Sequence, residues 1–138
     1  MKIAIEAQRI FRLNKHGMDF VALETIRELQ KRNDGNHYFV IVAPGEDHCL
    51  KESANLSIIE LKCPSYPLWE QIALPKTVKR LGVDLLHCTS NTAPLRCPVP
   101  LVLTLHDIIY LEPRQYRTPS LYQEMGWHYR RLAVPHIL

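Results

Sequence analysis

The stretch "HYFVIVAP", residues 37–44, is apolar from Phe39 to Ala43 with no polar residue in between. A strand with one solvated face alternates apolar and polar side chains. An unbroken run of Phe, Val and Ile therefore points to a strand covered on both faces, as in a parallel sheet clad by helices. "KIAIEA" at the amino end, "ANLSIIELK", "VDLLHC" and "PLVLTLHD" supply four more strand-length segments. Segments of helical period lie between them. After the polar loop "QRIFRLNKHGMD", Asp19 is placed to cap a helix from Phe20 to about Arg32, with Ala22, Ile26 and Leu29 on one face and "NDGN" as its stop. "SYPLWEQIALPKTVKRLGVD" carries Leu68, Ile72, Val78 and Leu81 at helical spacing, kinked or restarted at Pro75 and stopped at Gly82.

This alternation predicts an α/β fold, a Rossmann-like three-layer sandwich whose mostly parallel sheet has the spatial order 3-2-1-4-5. The Pro-rich loop 89–99 joins strands four and five, and "IIYLEPRQYRTP" after Asp107 reads as a loop. A last helix starts at Pro119 or Ser120 and runs through Tyr122, Met125, Trp127, Tyr129, Arg130 and Leu132 to the final residue with neither cap nor stop. The expectation is thus a single amino-terminal domain, residues 1–138, cut from something longer. At this length a domain buries roughly 65–70% of the surface that its unfolded chain exposes, which is enough for a core.

Net charge is +3 and the basic residues are scattered, so no electrostatic footprint for nucleic acid is present. Cys49, Cys63, Cys88 and Cys97 match no zinc spacing, and "MKIAIE" is already a strand and no cleavable signal, so reduced thiols in a cytoplasmic protein are expected. No apolar run approaches the roughly 20 residues that span a bilayer. Contact with the inner face of a membrane is the one membrane role left open. Its candidate is the cluster Trp127, His128, Tyr129, Arg130 and Arg131, for which core packing of the aromatics is the weightier reading.

Ligands of an open parallel sheet bind beyond the carboxyl ends of the strands, where successive connections leave in opposite directions. For the order above this point lies between strands one and four. Three stretches converge on it: the loop containing Gly17, "HCTSN" after strand four, and His106-Asp107 closing strand five. Gly17 precedes a helix start, with Arg9, Arg12, Lys15 and His16 close in sequence, so an anion such as a phosphate could be held there; simple turn chemistry is the rival reading. An imidazole such as that of His106 could donate to a sugar hydroxyl or a phosphate oxygen while Asp107 orients the loop, or both could be ordinary strand-end residues. A metal among His87, Cys88, Cys97 and His106 has no supporting spacing, and none is expected.

Taken in order, "MKIAIEAQRIF", "LNKHGMDFVALETIREL", "LGVDLLHCTSNTAP", "PLVLTLHDIIYLEP" and "YRRLAVP" resemble the N-terminal domain of a family 4 retaining glycosyltransferase. The resemblance implies the B-type architecture of two Rossmann-like domains facing a cleft, with the carboxyl-terminal, nucleotide-sugar-binding domain absent from this chain. It implies that Gly17 lets the loop approach a donor diphosphate and that His106, beside Asp107, contacts the donor sugar near its anomeric centre. Arg9, Arg12, His87, Thr89, Ser90 and Asn91 become acceptor-side candidates. Glu6 stands where the family more usually has Asp, and its glycine-rich loop is reduced here to Gly17. The implied partners are a nucleotide-sugar donor, acting as co-substrate with no resident cofactor or metal, and a sugar or lipid-linked acceptor. The fragment alone is not expected to transfer sugar, and self-association through surface left by a missing domain is a further expectation. The alternative kept beside this is a free-standing flavodoxin-like or receiver-like binding module.

Overall fold

Residues 1–108, 111–112 and 120–138 are described by the computed structural model, without the side chain of Tyr122. Five strands, β1 (Lys2–Glu6), β2 (His37–Val42), β3 (Leu56–Glu60), β4 (Leu85–Cys88) and β5 (Leu101–Leu103), form one sheet in the order β3-β2-β1-β4-β5. Every adjacent pair is parallel. The predicted α/β Rossmann-like sandwich and its strand order are what the chain adopts. Registers pair Glu6 with Cys88 and Cys88 with Leu103, so the carboxyl ends of β1, β4 and β5 finish level with one another.

Helix α1 (Gly17–Gln30) covers one face of the sheet. Its Ala22, Leu23 and Ile26 pack with Ile5, Tyr38, Val40 and Val42 from the strands and with Ile10 and Phe11 from the loop after β1. The opposite face carries α2 (Tyr66–Leu68), a π-helical turn (Trp69–Ala73) and α3 (Leu74–Leu81), which bury Trp69, Leu74 and Val78 against Ala4, Ile41, Leu86 and Cys88. Val40, Ile41 and Val42 are wholly buried, which is why the β2 sequence does not alternate. Each such side chain contributes roughly 1.5–3 kcal/mol relative to exposure. Helix α4 (Leu121–Ile137), with Ser120 at its N-cap position, brings Ile137 to the second core. Most of the loop expected at 108–119 lies outside the described residues.

Three local expectations are corrected. Helix α1 begins at Gly17, with His16 as its N-cap; Asp19 is the third helical residue, and its carboxylate accepts the His16 backbone N–H at 2.9 Å. Asp19 therefore caps the helix from inside its first turn. Pro75 does mark the restart of an α-helix, but the segment before it is a π turn and not an α-helix. It sits in the first turn of α3, just after the π turn, where the Leu74 N–H donates to Trp69 O, five residues back. The extra residue in that turn rotates the sequence around the axis, so Leu68 and Ile72 face solvent while Trp69, Leu74 and Val78 point inward. Finally, β5 stops at Leu103, and its Val102 is 46% exposed, so full cover on both faces fails at this strand.

The loops after β1 and β2 are tied together. Ala43 N–H donates to Gln8 O and Asp47 N–H to Phe11 O, both at 2.9 Å, while the Cys49 thiol reaches Ile10 O at 3.2 Å. Lys15 pairs with Asp47. Gly45 lies so close that a Cβ there would stand 2.3 Å from Phe11 O.

Candidate active site

At the carboxyl end of β1, Glu6 turns toward the second core and is 1% exposed. Its carboxylate accepts the N–H of Gln8 at 2.9 Å and of Thr89 at 3.3 Å, and Thr89 Oγ1 donates back to Glu6 O at 2.8 Å. These bonds extend the β1–β4 pairing past the sheet. Burial pushes the Glu6 carboxyl up to about 7, against the backbone hydrogen bonds that pull it down, and the charge of Glu70 adds to the rise.

Glu70 was not expected in the site. It lies in the π turn, fully buried, and accepts hydrogen bonds from Tyr66 Oη (2.5 Å), Tyr129 Oη (2.5 Å) and Thr92 Oγ1 (2.7 Å). Gln71 Nε2 donates to Ala93 O at 3.0 Å and to Tyr129 Oη at 2.8 Å. Burial raises the Glu70 carboxyl, and burial together with the Glu70 charge raises both tyrosines, so the phenols stay protonated as donors. The hub ties α4 and α2 to the loop after β4. Its sequence signal was a lone acidic residue between Trp69 and Gln71. α-Helical counting cannot place that residue inside, because the π turn changes the register.

The loop 89–93 is the centre of the site. Thr89, Ser90, Asn91, Thr92 and Ala93 are all buried. Asn91 has φ of 67°, in the left-handed region where Asn is the commonest residue after Gly. Its N–H donates to Thr104 O at 3.1 Å, its Nδ2 to Met18 Sδ at 3.6 Å, and its Oδ1 accepts the His106 N–H at 2.5 Å. The His106 ring returns to the same loop, with Nε2 2.8 Å from Thr89 O. One side chain thus joins the first turn of α1, beside Gly17, to His106 in the segment after β5.

The other candidates fall as follows. Gly17 is the first residue of α1, is exposed, and has no atom within 4 Å of where a Cβ would stand, so the helix start is open on that side. Arg9 pairs with Asp19 at 3.5 Å, and Arg12 Nη2 lies 3.5 Å from His16 Nε2, which keeps both guanidinium groups beside the start of α1. Lys15 is drawn away to Asp47. Ser90 stands next to Thr89, their hydroxyls 3.5 Å apart. His87 is inside β4, opposite Ile5 and Val102, and its Nε2 meets Thr104 Oγ1 at 2.7 Å; burial lowers its pKa and keeps the ring neutral. Asp107 is exposed beside His106. Among the described residues no three His, Cys, Asp or Glu side chains gather as metal ligands, and no helix is long and apolar enough to cross a membrane.

The geometry is therefore a polar floor at the switch point of a parallel sheet, with a histidine, two arginines and an open helix start around it. No curated protein and no solved structure is matched significantly. The family model described as Glycosyltransferase Family 4 matches residues 16–137, which takes in α1, α4 and every strand after the first. The family model covers most of the chain and the fold agrees with it: the chain belongs to Glycosyltransferase Family 4 and is a glycosyltransferase-like module.

Proposed function

We propose that this chain is the amino-terminal, acceptor-side half of a retaining glycosyltransferase of the B type, moving a sugar from a nucleotide-sugar donor to a sugar or lipid-linked acceptor. The observation that carries the reading is the Asn91 side chain, which reaches Met18 beside Gly17 and His106 together. The start of α1 and His106 are therefore neighbours across one side chain, close enough for a single small molecule to touch both.

In this reading the open start of α1 at Gly17 receives the donor diphosphate, aided by the helix dipole and by Arg12 and His16. Asp19 takes part of that positive end for itself, and Arg9 offsets its charge. His106 contacts the donor sugar, with Asp107 beside it. Arg9, Arg12, Thr89 and Ser90 line the acceptor side, while His87, held by Thr104, supports the wall behind them. The work of this half is positioning: holding the acceptor and the sugar in register contributes through orientation. Stabilising the charge of the leaving diphosphate belongs to a carboxyl-terminal nucleotide-binding domain. The reaction would take place in the cytoplasm, at the inner face of the membrane if the acceptor is lipid-linked. The exposed Leu121, Met125 and Leu132 of α4 would support self-association of the isolated domain, which sedimentation across a concentration series checks.

The test is to join the chain to a nucleotide-binding domain of the same family and to measure sugar transfer and donor hydrolysis. His106→Ala is expected to lower turnover by roughly a hundredfold. A fused protein whose turnover is indifferent to His106→Ala would remove the assigned role.

A further inference from the structure

We propose that Asn91 is a positioning residue that fixes the seat and the tautomer of His106, so that the ring offers Nδ1, an acceptor, to a ligand hydroxyl. The proposal rests on the reading of His106 as a ligand contact and says which atom makes that contact.

Asn91 is 2% exposed, yet adopts a φ that costs a non-glycine residue energy unless its surroundings hold it there. Three bonds do so, one from its backbone N–H and one from each end of its amide. Of these, the 2.5 Å bond from the His106 N–H to Oδ1 sets the position of the His106 backbone. The imidazole then meets the Thr89 carbonyl through Nε2 at 2.8 Å. A carbonyl oxygen has no proton to give, so Nε2 must be the donor. In the neutral ring this leaves Nδ1 with its lone pair, and Nδ1 has no partner among the described residues.

The carbonyl that selects the tautomer is itself fixed, because Thr89 is bonded to Glu6 through both its N–H and its hydroxyl. Farther along the loop, Thr92 is bonded to Glu70. The segment is thus held at its two ends and by Asn91 in the middle. A neutral ring held in this way accepts from a sugar hydroxyl. It offers nothing to a phosphate oxygen, which is itself an acceptor, and so the ligand at Nδ1 is the sugar and not the diphosphate.

Imidazole nitrogen resonances of the 15N-labelled chain, recorded at pH 8 where free histidine is neutral, test this directly. His106 is expected as the Nε2–H tautomer in the wild type and in Asn91→Asp, which keeps the oxygen that accepts the His106 N–H. Asn91→Gly tolerates the same backbone angle but lacks the amide. There the His106 signals should move toward the tautomer average and its backbone amide should exchange roughly tenfold faster. The His37 ring, bonded to Ser57 Oγ and remote in sequence, should stay unchanged and report an intact fold.

An Nδ1–H tautomer in the wild type overturns the proposal, as does Asn91→Gly with wild-type His106 resonances and exchange. Should Asn91→Gly fail to fold, the wild-type tautomer and His106 amide protection in Asn91→Asp decide it alone, loss of either counting against. Dimethyl phosphate, which carries no O–H at this pH, is expected to leave Nδ1 unmoved, and a shift on its addition would overturn the hydroxyl assignment. None of these readouts needs sugar transfer, so a failed tautomer test leaves the transferase reading standing, and an inactive fused enzyme leaves the positioning of His106 standing.

Discussion

The two faces of the sheet are buried by different chemistry. Under α1 the packed cluster is aliphatic and aromatic, from Ile5 and Val40 to Ile26 and Phe11, with the buried charge of Asp19 kept to the helix start. Under the π turn, α3 and α4, the core is apolar near the amino ends of the strands and becomes polar toward their carboxyl ends, where Glu6 and Glu70 are buried with Tyr66, Thr92 and Tyr129. The first face supplies stability that is insensitive to charge. The second gives up part of that insensitivity to hold the loop 89–93 in one shape beside the site. A buried polar network of this kind is worth having only while every member is bonded.

The sharpest way to break the contrast is to remove equal bulk from each side. Glu70→Ala strands three hydroxyl donors in a dry interior, for a predicted loss of about 4 kcal/mol. Ile26→Ala leaves only a cavity, for about 3 kcal/mol. Urea unfolding measures both, and the amide spectrum separates them further: Glu70→Ala should perturb residues 89–93, and Ile26→Ala should not. Equal, local effects would mean that the network does not hold the loop.

Next in size is a pH effect confined to the polar side. Unfolded, Glu6 titrates near 4.5; folded, near 7. Between these values the folded state binds the extra proton, so the contribution of Glu6 to stability is complete below about 4.5 and is lost as pH rises through about 7. The swing is on the order of 3 kcal/mol. Urea midpoints of the wild type and Glu6→Gln across this range should therefore differ by an amount that changes with pH, whereas Ile26→Ala should track the wild type at a constant offset.

The smallest effect is expected at the uncovered edge of the sheet. Val102→Thr should change stability by no more than about 0.5 kcal/mol, since the side chain is already half in water. A loss above 1.5 kcal/mol by thermal melting would mean that this face is covered in solution.

The apolar face was the more legible one in the sequence. The run from Phe39 to Ala43 and the strand–helix alternation were enough for the sheet order, because burial on two faces leaves no room for polar residues. Strand-end logic likewise brought Gly17, Thr89 and His106 to one rim. Where reading failed, a local rule was overridden. Asp19 looked like a cap by type, but it reaches back to His16 from the third helical position. Leu68 and Ile72 fit an α-helical stripe, but the π turn exposes them and takes Trp69 and Glu70 inside. Asn91 entered only as an acceptor-side candidate implied by the resemblance, and its left-handed backbone and three bonds were not foreseen. None of these has a signature in residue type or period.

The contact between Gly45 and Phe11 has a mechanical consequence. With no space for even a methyl group, and with Gln8, Ile10, Phe11 and Lys15 all fastened to the segment 43–49, the arm bearing Arg9 and Arg12 has a rigid buttress behind it. Any swing of those guanidinium groups that involves the main chain must drag the buttress along, which confines quick adjustment to their side-chain torsions.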